Sequence, residues 1–252
     1  MKKLLFMALT LPTLLISAEL PEKIEWITEN YPPYNYADGN DEPQGISIEI
    51  LNKVLKIMKR ANDKINVKPW PRGYSQAQRE GQYNVLFSTT RTKERENLFK
   101  WFGPISKTIV SIWGHKIDKD FKFDKEDINN YQYCVIKNDI AELTLKELGV
   151  KEENLLRVDS ALQMLKLVMD RGEKKKKVDF LAYEDNVISW EIKKNNLNLD
   201  EYSKVYDIKE GELWYSVNKT FSDEQLKVFQ NAFDEALKDS DLKETLKSKF
   251  GI

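Results

Sequence analysis

One pattern occurs twice in the chain and constrains its fold more than any other feature. An Asn or Asp leads into a short apolar strand with a polar end, first in GQYNVLFSTT at residues 81–90 and again in KKVDFLAYED at residues 176–185. Each copy closes a series in which predicted strands alternate with predicted helices. Such alternation is typical of parallel sheets, whose ligands bind beyond the carboxyl ends of the strands. We therefore predict an α/β protein with two similar lobes.

The first unit contains three predicted strands and two predicted helices. Runs of β-forming residues indicate the strands, and apolar residues at helical spacing indicate the helices. The strands are expected at residues 24–28, 65–67 and 85–87, and the helices at residues 46–58 and 75–80. The segment after the strand at 65–67 contains Trp70, Arg72 and Tyr74, and we expect it to lie at the carboxyl edge of the sheet. The residues expected at this edge are Tyr31, Trp70, Arg72, Tyr74 and Thr90.

Hydroxyl and basic residues follow the strand at 85–87. Ser88 and Thr90 stand just before a candidate helix start, and Arg91 and Arg95 follow them. Free backbone N–H groups and guanidinium donors at one place can hold a carboxylate or another anion. The alternative is that the hydroxyl residues only cap a helix while both arginines lie in solvent.

A rigid loop with three tyrosines follows the first predicted strand. The paired prolines Pro32 and Pro33 in ENYPPYNY, residues 29–36, exclude regular structure there. Aromatic rings at a strand end are suited to line a small-molecule pocket, and Glu29 adds a charge beside Tyr31. The alternative is that the rings only close the rim of the domain.

The second unit repeats the scheme between two β-rich runs. Strands are expected at residues 133–136, 155–158 and 178–182, and helices at residues 141–148 and 160–171. The β-rich runs at residues 108–113 and 213–217 frame this unit. We expect two connections, which would form a hinge between the lobes. The predicted division assigns residues 19–108 and 214–252 to lobe one and residues 109–213 to lobe two.

Two further segments complete the predicted organisation. Ser222 and Gln225 have the spacing of a capping box, which predicts a helix that packs back on lobe one. The N-terminus, residues 1–18, has two lysines, an apolar stretch and a small-residue cleavage site. These are the parts of a cleaved signal peptide, so we expect a periplasmic protein. An uncleaved membrane anchor is the alternative.

Composition excludes several classes of function. The net charge is −1, and −3 without the two lysines of the leader, which argues against a nucleic-acid partner. Cys134 and His115 are the only residues of their types, so an intrachain disulfide, a His-based catalytic triad and a metal site with several His or Cys ligands are not expected. We expect a monomer without metal or cofactor.

Three segments resemble one family in their order and spacing. They are YPPYNY followed by GISIEILNKVL, STTRTKER followed by WFGP, and KKVDFLAYED. The chain resembles the extracytoplasmic solute-binding proteins of the polar amino acid family, bacterial solute-binding protein family 3, which serve ABC transporters. This resemblance implies a type II periplasmic-binding-protein fold, with two Rossmann-like lobes joined by a two-strand hinge. It also implies a small ligand, an amino acid or related carboxylate, and a membrane permease as partner.

The resemblance also implies roles for individual residues. The family's T-x-T-x-x-R pattern, whose arginine binds the ligand carboxylate, falls on Thr90, Thr92 and Arg95. Its acid for the α-ammonium group falls on Glu184. Its loop aromatic falls on Tyr31, and its second-lobe helix-start loop falls on Asn138-Asp139-Ile140.

The chain also departs from the family pattern. Lys137-Asn138-Asp139 stands where a glycine-rich segment is usual, Asn84 stands in place of an Asp, and WPRGY is an addition. We expect Arg72 and Arg91 to add positive charge to the pocket, which argues against a neutral or basic amino acid as ligand.

Two alternative functions remain on the same fold. One is an enzyme like the cyclohexadienyl dehydratases, for which Glu184 would be the acid that expels a hydroxyl group. The next residues, 185–188, offer no further acid beyond Asp185 where one would be expected. The other is a sensory module that presents its ligand to a membrane receptor.

Overall fold

The computed structural model describes residues 18–169 and 178–251. The predicted signal peptide therefore lies outside the described residues except for Ala18. The end of the helix predicted at 160–171 lies outside them as well.

The elements follow one another in an α/β order. In chain order, the strands are β1 (Glu25–Thr28), β2 (Tyr36–Ala37), β3 (Pro43–Gln44), β4 (Ile65–Val67), β5 (Asn84–Thr90), β6 (Lys100–His115), β7 (Tyr133–Ile136), β8 (Leu155–Val158), β9 (Phe180–Glu184) and β10 (Tyr202–Val217). The α-helices are α1 (Ile46–Ile57), α2 (Trp70–Ala77), α3 (Lys93–Glu96), α4 (Ile140–Glu147), α5 (Ala161–Met169), α6 (Asp185–Lys194), α7 (Asp223–Ala236) and α8 (Ser240–Phe250). Short 3-10 turns cover Lys125–Asn130, Glu152–Asn154 and Leu199–Glu201.

Two long antiparallel strands join two parallel groups. The strand order is β4-β1-β5-β10-β6-β9-β7-β8, with parallel pairing of β1 with β4 and β5 and of β7 with β8 and β9. Strands β6 and β10 have 16 residues each and pair from Tyr202 opposite His115 to Val217 opposite Lys100. We call the β4-β1-β5 side with its helices the first lobe and the β9-β7-β8 side the second lobe.

The joining strands are irregular where they pass between the lobes. The register of β10 against β6 shifts at three places, Lys204/Tyr206, Asp207/Lys209 and Leu213/Tyr215. Such bulges bend a strand and increase its local twist. The sequence predicted only part of each strand, 108–113 and 213–217, and its lobe boundaries fall inside β6 and β10. Those boundaries stay a prediction.

Aromatic packing holds the C-terminal helices on the first lobe. Phe102 of β6 stacks on Tyr215 of β10 at 4.4 Å between ring centroids and on Phe229 of α7 at 5.3 Å. The predicted capping box of Ser222 and Gln225 is present at the start of α7. The Gln225 side chain also donates to the backbone oxygen of Glu19 at 2.8 Å. The first and last described segments therefore meet on the first lobe.

One local prediction was wrong, and one helix was not predicted. Trp70, expected on a loop after a strand, begins helix α2, because Pro69 and Pro71 flank it and proline is tolerated in the first turn of a helix. Helix α6 was not predicted, although Val187, Ile188 and Ile192 form its buried face.

No helix within the described ranges is both long and apolar enough to span a bilayer.

Replacing Phe102 with Ala tests the aromatic packing. The ring is fully buried, so its loss should lower the free energy of unfolding by about 3–5 kcal/mol. Leu98→Ala is the control, because Leu98 is 40% exposed and its loss should change stability by no more than about 0.5 kcal/mol. Urea unfolding of both variants measures the difference; equal midpoints would contradict this account of the core.

Candidate functional site

Arg95 is a buried cation between the lobes. Thr92 caps the short helix α3 and accepts a hydrogen bond from the Arg95 backbone N–H at 3.3 Å. The guanidinium is 1% exposed; Nη1 donates to the Thr90 backbone oxygen at 3.0 Å, and Nη2 donates to the Asn138 backbone oxygen of the second lobe at 3.1 Å. The Nε–H has no hydrogen-bond partner among the described residues.

Two aromatic rings of helix α2 cover this cation. The Cζ atom of Arg95 lies 5.2 Å from the ring centroids of both Trp70 and Tyr74, which is cation–π distance. The two rings stack on each other at 5.1 Å. Trp70 Nε1 also donates to the Asn138 backbone oxygen, at 3.0 Å, so a second donor of the first lobe reaches this acceptor.

Three buried carboxyl groups belong to the same region. Glu29 follows β1, Asp139 caps helix α4 by accepting the Ala141 N–H at 2.9 Å, and Glu184 caps helix α6. Burial raises the pKa of Glu29, the charge of Asp139 raises it further, and Arg95 opposes both. Burial also raises the pKa of Asp139, against the Ala141 N–H and Arg95. Carboxyl groups thus outnumber the guanidinium here.

Glu184 accepts hydrogen bonds from both lobes. Its Oε2 accepts from the Val187 N–H at 2.9 Å, and its Oε1 accepts from the Tyr34 hydroxyl of the first lobe at 3.2 Å and from Asn186 Nδ2 at 3.0 Å. Burial raises the pKa of Glu184 to about 7, although these donors oppose the shift. Its charge therefore changes near neutral pH.

A cluster of tyrosines connects the two lobes beside these acids. Tyr31 meets Tyr183 of β9 edge to face at 5.4 Å and stacks on Tyr34 at 5.7 Å. Burial raises the pKa of Tyr31 and of Tyr183, and the charges of Glu29, Asp139 and Glu184 raise both further. Both phenols therefore remain neutral donors near this group of acids.

The side chains of Ser88 and Ile140, two predicted site residues, contact groups other than Arg95. Ser88 has a left-handed backbone, φ 58°, and its hydroxyl pairs with that of Ser47 at 2.7 Å. Strain of this kind is found at functional sites more often than elsewhere. The Ile140 side chain packs into the apolar cluster of the second lobe.

The structure does not bring Arg72 and Arg91 into this group. Arg91 donates from Nε to Glu96 at 2.8 Å and lies 4.8 Å from the Trp214 ring and 5.6 Å from the Trp101 ring. Glu96 follows five residues later and gives Arg91 a partner at the surface. Arg72 is exposed on α2. The expected addition of positive charge by these two arginines is therefore absent from the cluster of described residues around Arg95.

Several residues at the site were not among the predicted site residues. They are Tyr34, Tyr183 and Asn186; Asn138 was expected on the helix-start loop but was given no contact of its own. Tyr34 stood in the tyrosine-rich loop, and Tyr183 immediately precedes Glu184. Asn138 has a left-handed backbone, φ 61°, which Asn adopts more readily than most residues. Its position in a glycine-rich segment of the family was the available signal.

Comparison with known families identifies the chain. The model of the bacterial extracellular solute-binding proteins, family 3, matches residues 25–251. The chain belongs to this family. No curated protein sequence matches it.

Solved structures agree on the fold. A histidine kinase sensor domain with similarity to periplasmic binding proteins is 17% identical, with a TM-score of 0.76 over 91% of this chain and 96% of that chain. An ancestral arginine-binding protein bound to glutamine is 22% identical, with a TM-score of 0.73 over 93% and 100%. A histidine-bound substrate-binding protein of an ABC uptake transporter from Streptococcus pneumoniae is 14% identical, with a TM-score of 0.72 over 90% and 92%. The predicted type II periplasmic-binding-protein fold is confirmed.

In the family 3 protein described here, Glu184 should make stability pH-dependent. Its pKa is raised in the folded state, so its contribution is fully present below the ordinary value of 4.5 and is lost as pH rises through about 7. Glu184→Gln should remove this loss, of order 3 kcal/mol, from the pH profile of the unfolding free energy. In this variant, Glu29 and Asp139 would still make the unfolding free energy fall as pH rises, because their pKa values are also raised.

The matched control is Glu244→Gln, which changes an exposed carboxyl group of α8. Urea unfolding from pH 4 to 9 measures the profiles. If Glu184→Gln and Glu244→Gln have the same profile, the inferred burial of an ionisable Glu184 is incorrect.

Proposed function

We propose that this chain is an exported binding protein that holds an amino acid or a related small carboxylate between its lobes. In this proposal, the lobes close on the ligand by bending of β6 and β10, and the loaded protein delivers the ligand to the membrane permease of an ABC uptake system. The observation that carries the proposal is the buried Arg95 guanidinium between the lobes, with an Nε–H that lacks a partner.

The Arg95 guanidinium supports a carboxylate as one end of the ligand. A buried donor without a partner is costly, and a ligand oxygen would remove that cost. Guanidinium–carboxylate hydrogen bonds are charge-assisted and are among the strongest in proteins. Trp70 and Tyr74 cover the cation and limit its access to water.

The carboxyl groups support an ammonium as another part of the ligand. Glu29, Asp139 and Glu184 are 6%, 5% and 0% exposed, and each has a raised pKa. A bound cation would favour their charged forms and restore their lower pKa values. This balance of charge favours a ligand with at least one ammonium group. The sequence had argued against a basic amino acid as ligand because Arg72 and Arg91 were expected to add positive charge to the pocket. Since neither arginine lies in this group, that argument no longer holds.

The family and its relatives support an amino acid as the ligand. Similar structures are described as bound to glutamine, arginine and histidine. Export by the leader at residues 1–18 and a monomeric state complete the proposal. The binding role needs no chemistry on the ligand and no cofactor.

Arg95→Ala tests the proposal directly. A thermal-shift screen of wild-type protein over the common L-amino acids and small dicarboxylates first selects a ligand; at 100-fold excess over Kd it should add about 2.7 kcal/mol of stability. Arg95→Ala should then weaken binding by about 2–5 kcal/mol, because it leaves a buried carboxylate unpaired. Calorimetric titration measures this loss.

Arg79→Ala is the control for a general effect of removing an arginine, since Arg79 is exposed on the first lobe. It should bind like wild type. Unchanged affinity in Arg95→Ala would show that the carboxylate site lies elsewhere.

A second candidate function rests on the position of Glu184, which is 0% exposed between the lobes, accepts from Tyr34 and Asn186, and has its pKa raised by burial to about 7. A carboxyl group that keeps its proton near neutral pH is suited to general acid catalysis, as the dehydratase alternative requires. Incubation with prephenate decides between the two. A binding protein leaves prephenate unchanged beyond its spontaneous decay, whereas turnover that Glu184→Gln abolishes would establish the enzyme.

A further inference from the structure

One backbone oxygen of the second lobe accepts hydrogen bonds from two donors of the first lobe. The Asn138 carbonyl, between β7 and α4, accepts from Trp70 Nε1 at 3.0 Å and from Arg95 Nη2 at 3.1 Å. Both donors are nearly fully buried. Because the donors and the acceptor belong to different lobes, these hydrogen bonds exist only while the lobes are together.

Glu142 holds the other side of Asn138. The left-handed backbone of Asn138, φ 61°, is unfavourable for most residues that have a Cβ atom. Glu142 Oε2 accepts the Asn138 N–H, and this side chain is 2% exposed. Burial raises the pKa of Glu142, but the Asn138 N–H, Lys146 and Arg157 together bring it below its usual value. An ionised carboxylate thus fixes the Asn138 backbone.

A second glutamate shares the cations of Glu142 but does not contact Asn138. Arg157 Nε donates to Glu142 Oε1 at 2.7 Å, and Arg157 Nη2 pairs with Glu152 at 2.6 Å. Lys146 pairs with Glu142 at 3.1 Å and with Glu152 at 3.3 Å. Of these two glutamates, Glu142 is therefore the one that links Arg157 and Lys146 to the Asn138 backbone.

We propose that the Asn138 carbonyl is a latch that holds the two lobes closed, and that Glu142 is the positioning residue that keeps this carbonyl directed at Trp70 and Arg95. The latch rests on the proposed function, because it controls closure of the same cleft. It acts in the protein without ligand, where it slows opening.

Trp70→Phe tests the latch by removing one donor while keeping an aromatic ring. Dyes on Glu80→Cys and Lys151→Cys, exposed positions of the first and second lobes, report opening by single-molecule energy transfer. Cys134 is buried and does not compete for labelling. Without ligand, Trp70→Phe should open about fivefold faster than wild type, the factor that corresponds to one hydrogen bond of about 1 kcal/mol.

Trp26→Phe is the matched control. Trp26 Nε1 donates to Asp63 Oδ2 at 2.9 Å, and both residues belong to the first lobe, outside the joining strands β6 and β10. This substitution removes the same kind of hydrogen bond from the same kind of side chain, away from the latch. Its opening rate should equal that of wild type. Equal rates for Trp70→Phe and Trp26→Phe would overturn the proposal.

Two further pairs test the backbone and the positioning residue. Asn138→Gly keeps both the carbonyl and the left-handed conformation and should open like wild type, whereas Asn138→Ala should open several-fold faster. Glu142→Ala should open faster, and Glu152→Ala, which loses the same two cationic partners, should not. If Glu142→Ala does not fold, the Trp70 and Asn138 comparisons still decide.

These outcomes are separable from those of the ligand experiment. Opening rates are measured on ligand-free protein, so they can contradict the latch even when Arg95→Ala has established the carboxylate site. Conversely, a latch can be established when no tested amino acid binds, and the proposed ligand class is then the part that fails.

Discussion

The burial of one guanidinium depends on both lobes. A charge removed from water must find acceptors nearby, because desolvation of an unpaired cation is expensive. Arg95 finds one acceptor in its own lobe, the Thr90 oxygen, and another in the opposite lobe, the Asn138 oxygen. The guanidinium therefore keeps both acceptors only while the two lobes are together. The acids and tyrosines around it are placed by helix caps and strand ends of both lobes.

The two lobes contribute different chemistry to the cleft. The first lobe provides the cation and the rings of Trp70 and Tyr74, while the second provides helix-capping carboxylates at Asp139 and Glu184. A carboxylate at a helix N-terminus is stabilised by the helix dipole and N–H groups. Strands β6 and β10 pair from Tyr202 opposite His115 to Val217 opposite Lys100, so one ladder connects these two sets of groups. The register shifts mark where that ladder is least regular.

Much of the fold was predictable because its signals are local. Strand residues 133–136 and 155–158 and the capping box at Ser222 follow from side-chain types at short spacing. Arg95 was predicted through family resemblance, and the structure buries it. The orientation of Arg91 was not predictable, because Glu96 and two Trp rings outside the cleft compete for it. Asn138 acts through a backbone oxygen, which side-chain patterns do not reveal. The role of Trp70 depended on a helix that begins with prolines.

The chain path has a consequence for folding during synthesis. Strand β10 and helices α7 and α8 complete the core of the first lobe, and Gln225 reaches back to Glu19. The second lobe, by contrast, comes from one uninterrupted stretch in the middle of the sequence. Because the polypeptide is synthesised from the N-terminus onward, the middle stretch can acquire its native packing before the C-terminal segment has been made. The core of the first lobe stays incomplete, with its first strands and helices partly exposed, until about the last forty residues have been synthesised.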